Sequence, residues 1–363
     1  MDMMDRMQSK FLKFIIYTYG NIGLQFQPIH LKQWKSIVNV IVNIIITLII
    51  VYGLHISERH NRLHSSKKFL TNFTWLCFSY LFSTVLFIIY LHYLIYGRRL
   101  IYLMNNIGNR YYHSIYRYSP YLLTILASIE LVYVITTLPN FENFSFRQFI
   151  DKLSRYHTKG QIHLVFNLII FHQCCIRQFL LTKINNFSKF KTMKNVSIRI
   201  ILKFFNEMTN VAFWSRQINQ ILSIHCLLII IIVVIHHIIF ICNIIEKRSI
   251  EKLHLLLPIS TMNGYLCFIF ILNNGNHQRI IQIRNIILKS YWNQLDSRIT
   301  AKQQREIHEK ISPINPIQSF ELIEIYRKDF LVNICHFWKF NFSFLLSMIV
   351  FIMNYVVFIV STN

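Results

Sequence analysis

Apolar positions along this chain gather into seven runs of about 18 residues or more, separated by stretches that hold nearly all of the charge. The runs are Ser36 to Ser57, Leu70 to Tyr96, Pro120 to Leu138, Gln161 to Thr182, Leu222 to Ile245, Leu253 to Leu272 and Phe340 to Val360. At roughly 1.5 Å per helical residue each can cross a hydrocarbon layer of about 30 Å, a length that a soluble core helix does not need. Glu130 and Arg177 are the only full charges inside them. The pattern predicts an all-α polytopic membrane protein in which residues 1–363 form a single domain of seven transmembrane helices.

The segments between the runs differ in length and pattern. The fourth loop, Lys183 to Ile221, and the sixth, Asn273 to Lys339, are long and rich in Ile, Leu and Phe at helical spacing. Phe204, Met208 and Val211 share one helix face, as do Ile280, Ile283 and Ile287. These loops therefore read as anchor helices, within 183–221 and 273–339, that continue into the cytoplasm and pack there. Pro313 and Pro316 divide the sixth loop, and Gln318 to Phe337 reads as a last helix before the seventh span.

Composition agrees with a membrane protein, at 54% apolar and only 15% charged residues. Orientation follows from the cations. With the N-terminus inside, the cytoplasmic segments carry 26 Lys and Arg and the outer loops 11, although the short outer loops are the denser in charge. No secretory signal is visible, since the chain opens with Asp2 and Asp5 and Lys13 breaks its first apolar stretch. The net charge of +23 does not point to nucleic acid, because the cations are spread over every loop with no run of five or more. They flank a membrane and face anionic lipid.

Candidate chemistry is sparse. Six of the seven cysteines lie inside spans and Cys335 in the sixth loop, so they read as small apolar packing residues. Sixteen histidines raise a diiron desaturase, but the adjacent His236 and His237, and His163 with His172, have no accompanying carboxylates. With eight glycines and no phosphate loop or exposed nucleophile motif, nothing argues for an enzyme, a metal or a cofactor. A G-protein-coupled receptor would show an acidic-Arg-aromatic triplet ending the third span and an Asn-Pro pair in the seventh. Here Leu138 is followed by Pro139, Asn140, Phe141 and Glu142, and the seventh span has no proline. That class and a small-molecule transporter remain as the alternatives.

A polar stripe marks the seventh span. Ser347, Asn354 and Ser361 recur every seven residues and so stack on one helix face, with Ser343 four residues before Ser347. Val350 or Phe351, and Val357 or Phe358, fill the turns between. Hydrated rings alternating with an apolar constriction are what an axial pore needs, whereas the same stripe could equally hydrogen-bond a neighbouring helix.

The end of that span, Asn354, Tyr355, Val356, Val357, Phe358, Ile359, Val360, Ser361 and Thr362, resembles the signature of the insect gustatory receptors. The family signature is Thr-Tyr, five apolar residues, then Gln-Phe. Tyr355 and the spacer fit, while Asn354, Ser361 and Thr362 depart from it. Phe337 to Leu346 looks like the family's approach to the last span, with His336 where Gly is usual, and Leu12 to Phe26 is similar to the aromatic and glycine segment before the first. Seven spans, an inside N-terminus and short outer loops fit along the whole chain.

The resemblance implies a subunit of a ligand-gated cation channel in the cell membrane of chemosensory dendrites, assembled as a homo- or hetero-tetramer with other gustatory receptors. The seventh helices would line one pore through Ser343, Ser347, Asn354, Val357, Phe358 and Ser361. It also implies a small-molecule tastant held among the second, third, fourth and sixth spans, open to the outside. Their outer halves offer Trp75, Ser79 and Tyr80, then Glu130, Tyr133 and Thr137, then His163 and Asn167, then Thr261 and Asn263. Aromatics with a few placed polar groups suit such a pocket. Glu130, a carboxylate near mid-membrane, is either neutral and structural or ionised and selective for basic ligands such as bitter alkaloids.

Overall fold

The computed structural model describes residues 69–111, 146–189, 198–247, 256–296, 316–334 and 338–362, with isolated helical positions at Leu12, Ile41, Ile45, Leu48, Ile125 and Ile129. Apart from those positions the first and third expected spans, and with them Glu130, Tyr133 and Thr137, lie outside the described residues. The described elements are α1 (Phe69–Tyr111), α2 (Phe146–Lys189), α3 (Ile198–Lys247), α4 (Leu256–Asp296), α5 (Pro316–Phe330), β1 (Asn333–Ile334), β2 (Trp338–Lys339) and α6 (Phe342–Thr362).

Helices α1 to α4 run for 43, 44, 50 and 41 residues. At about 1.5 Å per residue each is about 60–75 Å long, twice the thickness of a hydrocarbon core, so each must continue well outside any membrane it crosses. Among the described residues, Gly160–Phe187, Lys203–Ile238 and Ser343–Ser361 are long and apolar enough to cross a membrane. Their surroundings differ sharply. Every residue from Gln161 to Ile176 is buried, so this part of α2 is enclosed by protein on all sides, while α6 turns most of its surface outward.

Two apolar cores follow one another along the bundle. The first packs α2 against α4 and α1, and α1 against α3, through residues such as Ile89, Phe166, Phe171, Ile229 and Leu266. The second lies where the helices extend beyond their apolar stretches. There Phe179 and Phe187 of α2 meet Phe204, Met208 and Val211 of α3, Ile280 and Ile283 of α4, and Ile323, Tyr326 and Phe330 of α5. Lys183 pairs with Glu207 at its edge. The periodic apolar faces of both long loops are thus buried against each other, which is why these segments stay helical without a membrane around them. This second core joins the segments expected to form the anchor helices.

Helix α5 begins with Pro316 in its first turn, where the missing N–H costs nothing. It ends at Phe330, seven residues short of the expected Phe337, and the chain turns through an antiparallel pairing of Asn333 with Lys339 and Ile334 with Trp338. The reason is competition for the last carbonyls. Those of Asp329, Phe330 and Leu331 accept side-chain hydrogen bonds from Ser215, Gln173 and Asn219, so they are satisfied without another helical turn. An otherwise helical protein therefore carries this one two-residue hairpin among its described residues.

Candidate functional site

Little more than one turn of α2 sets His163, Phe166 and Asn167 against α4. Asn167 Nδ2 donates to His163 O at 2.9 Å and to the Tyr265 hydroxyl at 3.1 Å. Tyr265 is stacked on Phe166 at 5.1 Å between centroids and tilted against His163 at 5.5 Å. Thr261, one turn before Tyr265, is also buried. His163, Asn167 and Thr261 are thus brought to one α2–α4 seam around Tyr265, a residue the spacing of polar positions did not single out. Gln161 lies on the same helix, 1% exposed, and neither amide atom has a hydrogen-bond partner among the described residues. A buried, unsatisfied amide of this kind is a point where a polar ligand atom would be stabilised.

Asn263 does not join that seam. It is exposed on another face of α4 and hydrogen-bonds His237 Nε2 of α3 at 3.0 Å, while His237 Nδ1 donates to Val233 O at 2.7 Å. Trp75, Ser79 and Tyr80 fall within α1, but their side chains lie outside the described residues. On the outer surface of the bundle, α6 rests on α3 through Ile352, Val356 and Ile359 packed with Ile238, and Tyr355 joins this contact half-buried. The opposite side of α6 presents Ser343, Ser347, Asn354, Val357, Phe358 and Ser361, all exposed in the single chain. Ser347 and Ser361 turn their hydroxyls back onto the carbonyls of Ser343 and Phe358, at 2.8 and 2.9 Å.

Between these two regions lies a polar clamp that sequence reasoning missed. Asn273 of α4 accepts from Val332 N–H at 2.9 Å and donates to Phe340 O at 2.8 Å, so one amide holds both ends of the hairpin. Asn276, one turn on, donates to Gln173 Oε1 and to Gln173 O, and Gln173 Nε2 donates to Phe330 O at 3.1 Å. Asn219 Nδ2 reaches both Asp329 O and Leu331 O. Ser215 donates its proton to Asp329 O at 2.6 Å, which leaves its oxygen to accept from His172 Nε2 at 2.9 Å and fixes that tautomer. Arg216 grips the Asp329 carboxylate with two bonds, at 2.9 and 2.8 Å, and these hydrogen bonds and charge push the guanidinium pKa up further. Helices α2, α3 and α4 thereby converge on the segment that leads into α6. The one local signal was the Asn273, Asn274, Gly275, Asn276 quartet, polar where the apolar run of α4 ends.

A second unforeseen contact joins α1 to α3. His92 Nδ1 lies 3.0 Å from His225 Nε2, and the fully buried His225 ring is stacked on Tyr93 at 4.6 Å. Histidine pairing across helices 133 residues apart leaves no periodic trace in either. No group of three or more potential metal ligands occurs among the described residues.

No family model matches the chain, and no curated protein matches it. Among solved structures the fold is similar to that of the insect olfactory receptor OR5 from Machilis hrabei in complex with eugenol. The likeness has a TM-score of 0.61 at 11% identity and covers 100% of each chain. At that identity it is the fold that the two chains share.

Proposed function

We propose that the chain is a gustatory receptor subunit, a ligand-gated cation channel that detects small tastant molecules, with bitter compounds favoured over sugars, in the dendritic membrane of chemosensory neurons. The observation that carries this is α6. Among the described residues its own subunit buries the face of Ile352, Val356 and Ile359 and leaves outward a surface on which Ser347, Asn354 and Ser361 alternate with Val357 and Phe358. Four such helices around an axis, with the N-termini inside the cell, make polar rings separated by an apolar constriction that gates by dewetting. The fold shared over the full length with an insect olfactory receptor solved in complex with eugenol supports a small-molecule ligand for this chain.

Ligand enters the α2–α4 seam and acts through the clamp. A molecule seated near Gln161, His163, Asn167 and Tyr265 shifts α2 against α4, and both helices hold the hairpin through Gln173, Asn276 and Asn273. The base of α6 follows. The test is ligand-evoked current from cells expressing the chain, alone and with candidate partner receptors. Cation current evoked by a bitter panel is the expected result; responses that need a G protein, or ligand flux without current, would assign the chain to the receptor or transporter class instead.

A further inference from the structure

Beyond its apolar run, α1 places Arg99, Tyr102, Asn106 and Arg110 three and four residues apart on one face, opposite Trp214 and Gln217 of α3. Between them is an open cleft of about 540 Å³ that no carboxylate lines among the described residues. Its two cations are held in place. Arg99 Nη2 donates to Gln217 Oε1 at 2.8 Å, and the Arg110 guanidinium lies 4.9 Å above the Trp214 ring. Among the described residues Arg99 makes that one side-chain hydrogen bond and Arg110 one with Tyr111, so most of the five N–H donors of each remain for an anion, and both side chains are exposed.

Height above the membrane narrows what the anion is. Gln217 and Trp214, which hold the two guanidinium groups, stand five and eight residues before the apolar run that starts at Leu222, and Arg99 and Arg110 three and fourteen residues after the run that ends at Tyr96, so on both helices Arg99 is the lower and Arg110 the higher of the two. The lower falls at the headgroup layer and the higher beyond it. Tyr102 and Phe213, 61% and 58% exposed, line the cleft and offer aromatic faces to a ring seated in it. A single phosphodiester at headgroup depth meets only the lower arginine. An inositol ring with further phosphates stands tall enough to meet both.

We propose that this cleft binds a polyphosphorylated inositol lipid of the cytoplasmic leaflet, with Arg99 and Arg110 taking successive phosphates and Tyr102 and Phe213 flanking the inositol ring. Such lipids are confined to that leaflet, and basic pockets between helices on that side suit them. The assignment rests on the orientation under Proposed function, which puts the anchor helices inside the cell. Its readout is binding rather than current, so a chain that fails as a channel can still pass the test.

The full chain in phosphatidylcholine nanodiscs is titrated with a fluorescent short-chain phosphatidylinositol bisphosphate, with empty discs as baseline and phosphatidylserine and free inositol trisphosphate as competitors. Saturable binding is expected, weakened about tenfold or more by Arg99→Gln and by Arg110→Gln and little changed by Arg98→Gln, an exposed cation outside the cleft. Arg99→Lys and Arg110→Lys, which keep the charge and the fold, are expected to bind with intermediate strength. Binding no better than to empty discs, wild-type affinity in both glutamine variants, or equal competition by phosphatidylserine would overturn the proposal. Free inositol trisphosphate competing as strongly as the lipid would assign the cleft to a soluble phosphate and overturn the lipid.

Discussion

Replacing Asn273 with alanine removes both hydrogen bonds that pin the hairpin to α4. It orphans the Val332 N–H and the Phe340 carbonyl, whose residues are each 4% exposed. Stranding one buried backbone group costs about 1–3 kcal/mol, so the pair is worth about 2–6 kcal/mol. The Phe340 N–H to Val332 O bond at 3.3 Å survives and keeps the two ends together, which places the cost near the lower end, about 2–3 kcal/mol. Local opening made easier by about 2 kcal/mol speeds amide exchange about thirtyfold, since about 1.4 kcal/mol is tenfold. Hydrogen–deuterium exchange over residues 331–341 is therefore the assay, read alongside unfolding temperature in detergent. Asn273→Asp keeps the acceptor for Val332 but loses the donor to Phe340, and is expected to fall between. Asn274→Ala, an exposed neighbour, is expected to change nothing. Unchanged exchange across the hairpin in Asn273→Ala would show that the clamp does not hold it.

Three further outcomes are expected. In the α2–α4 seam, Tyr265→Phe removes the acceptor of Asn167 Nδ2 while keeping the ring, and should lower stability by about 1 kcal/mol and shift ligand potency in current recordings. On α6, at matched surface expression, Val357→Ala or Phe358→Ala should raise ligand-independent leak and Asn354→Asp should alter cation permeability ratios. Ile359→Ala, buried against α3, should instead cost about 2–5 kcal/mol of packing with permeability unchanged. An N-terminal tag should be reachable only after permeabilisation and a C-terminal tag from outside, with Asn143 in its Asn-Phe-Ser sequon glycosylated; N-terminal labelling on intact cells would refute the orientation.

The sequence alone determined where the long described helices form, but not that α5 stops at Phe330. An apolar block of about 20 residues admits little else in lipid, and the periodic faces at Phe204, Met208 and Val211 and at Ile280 and Ile283 can be buried only as helices. The outward stripe of α6 was legible for the same reason, because polar residues seven apart share a face whatever surrounds them. What covers each face was decided by the tertiary structure. Apolar positions suit protein and lipid alike, so nothing in the pattern told the enclosed α2 from the peripheral α6, or sent Asn263 toward His237 rather than to the seam of His163 and Asn167. The clamp was hidden too. Its partners sit 43 to 157 residues apart, and several of them are backbone carbonyls and one an N–H, which every sequence contains and which only the packed chain selects.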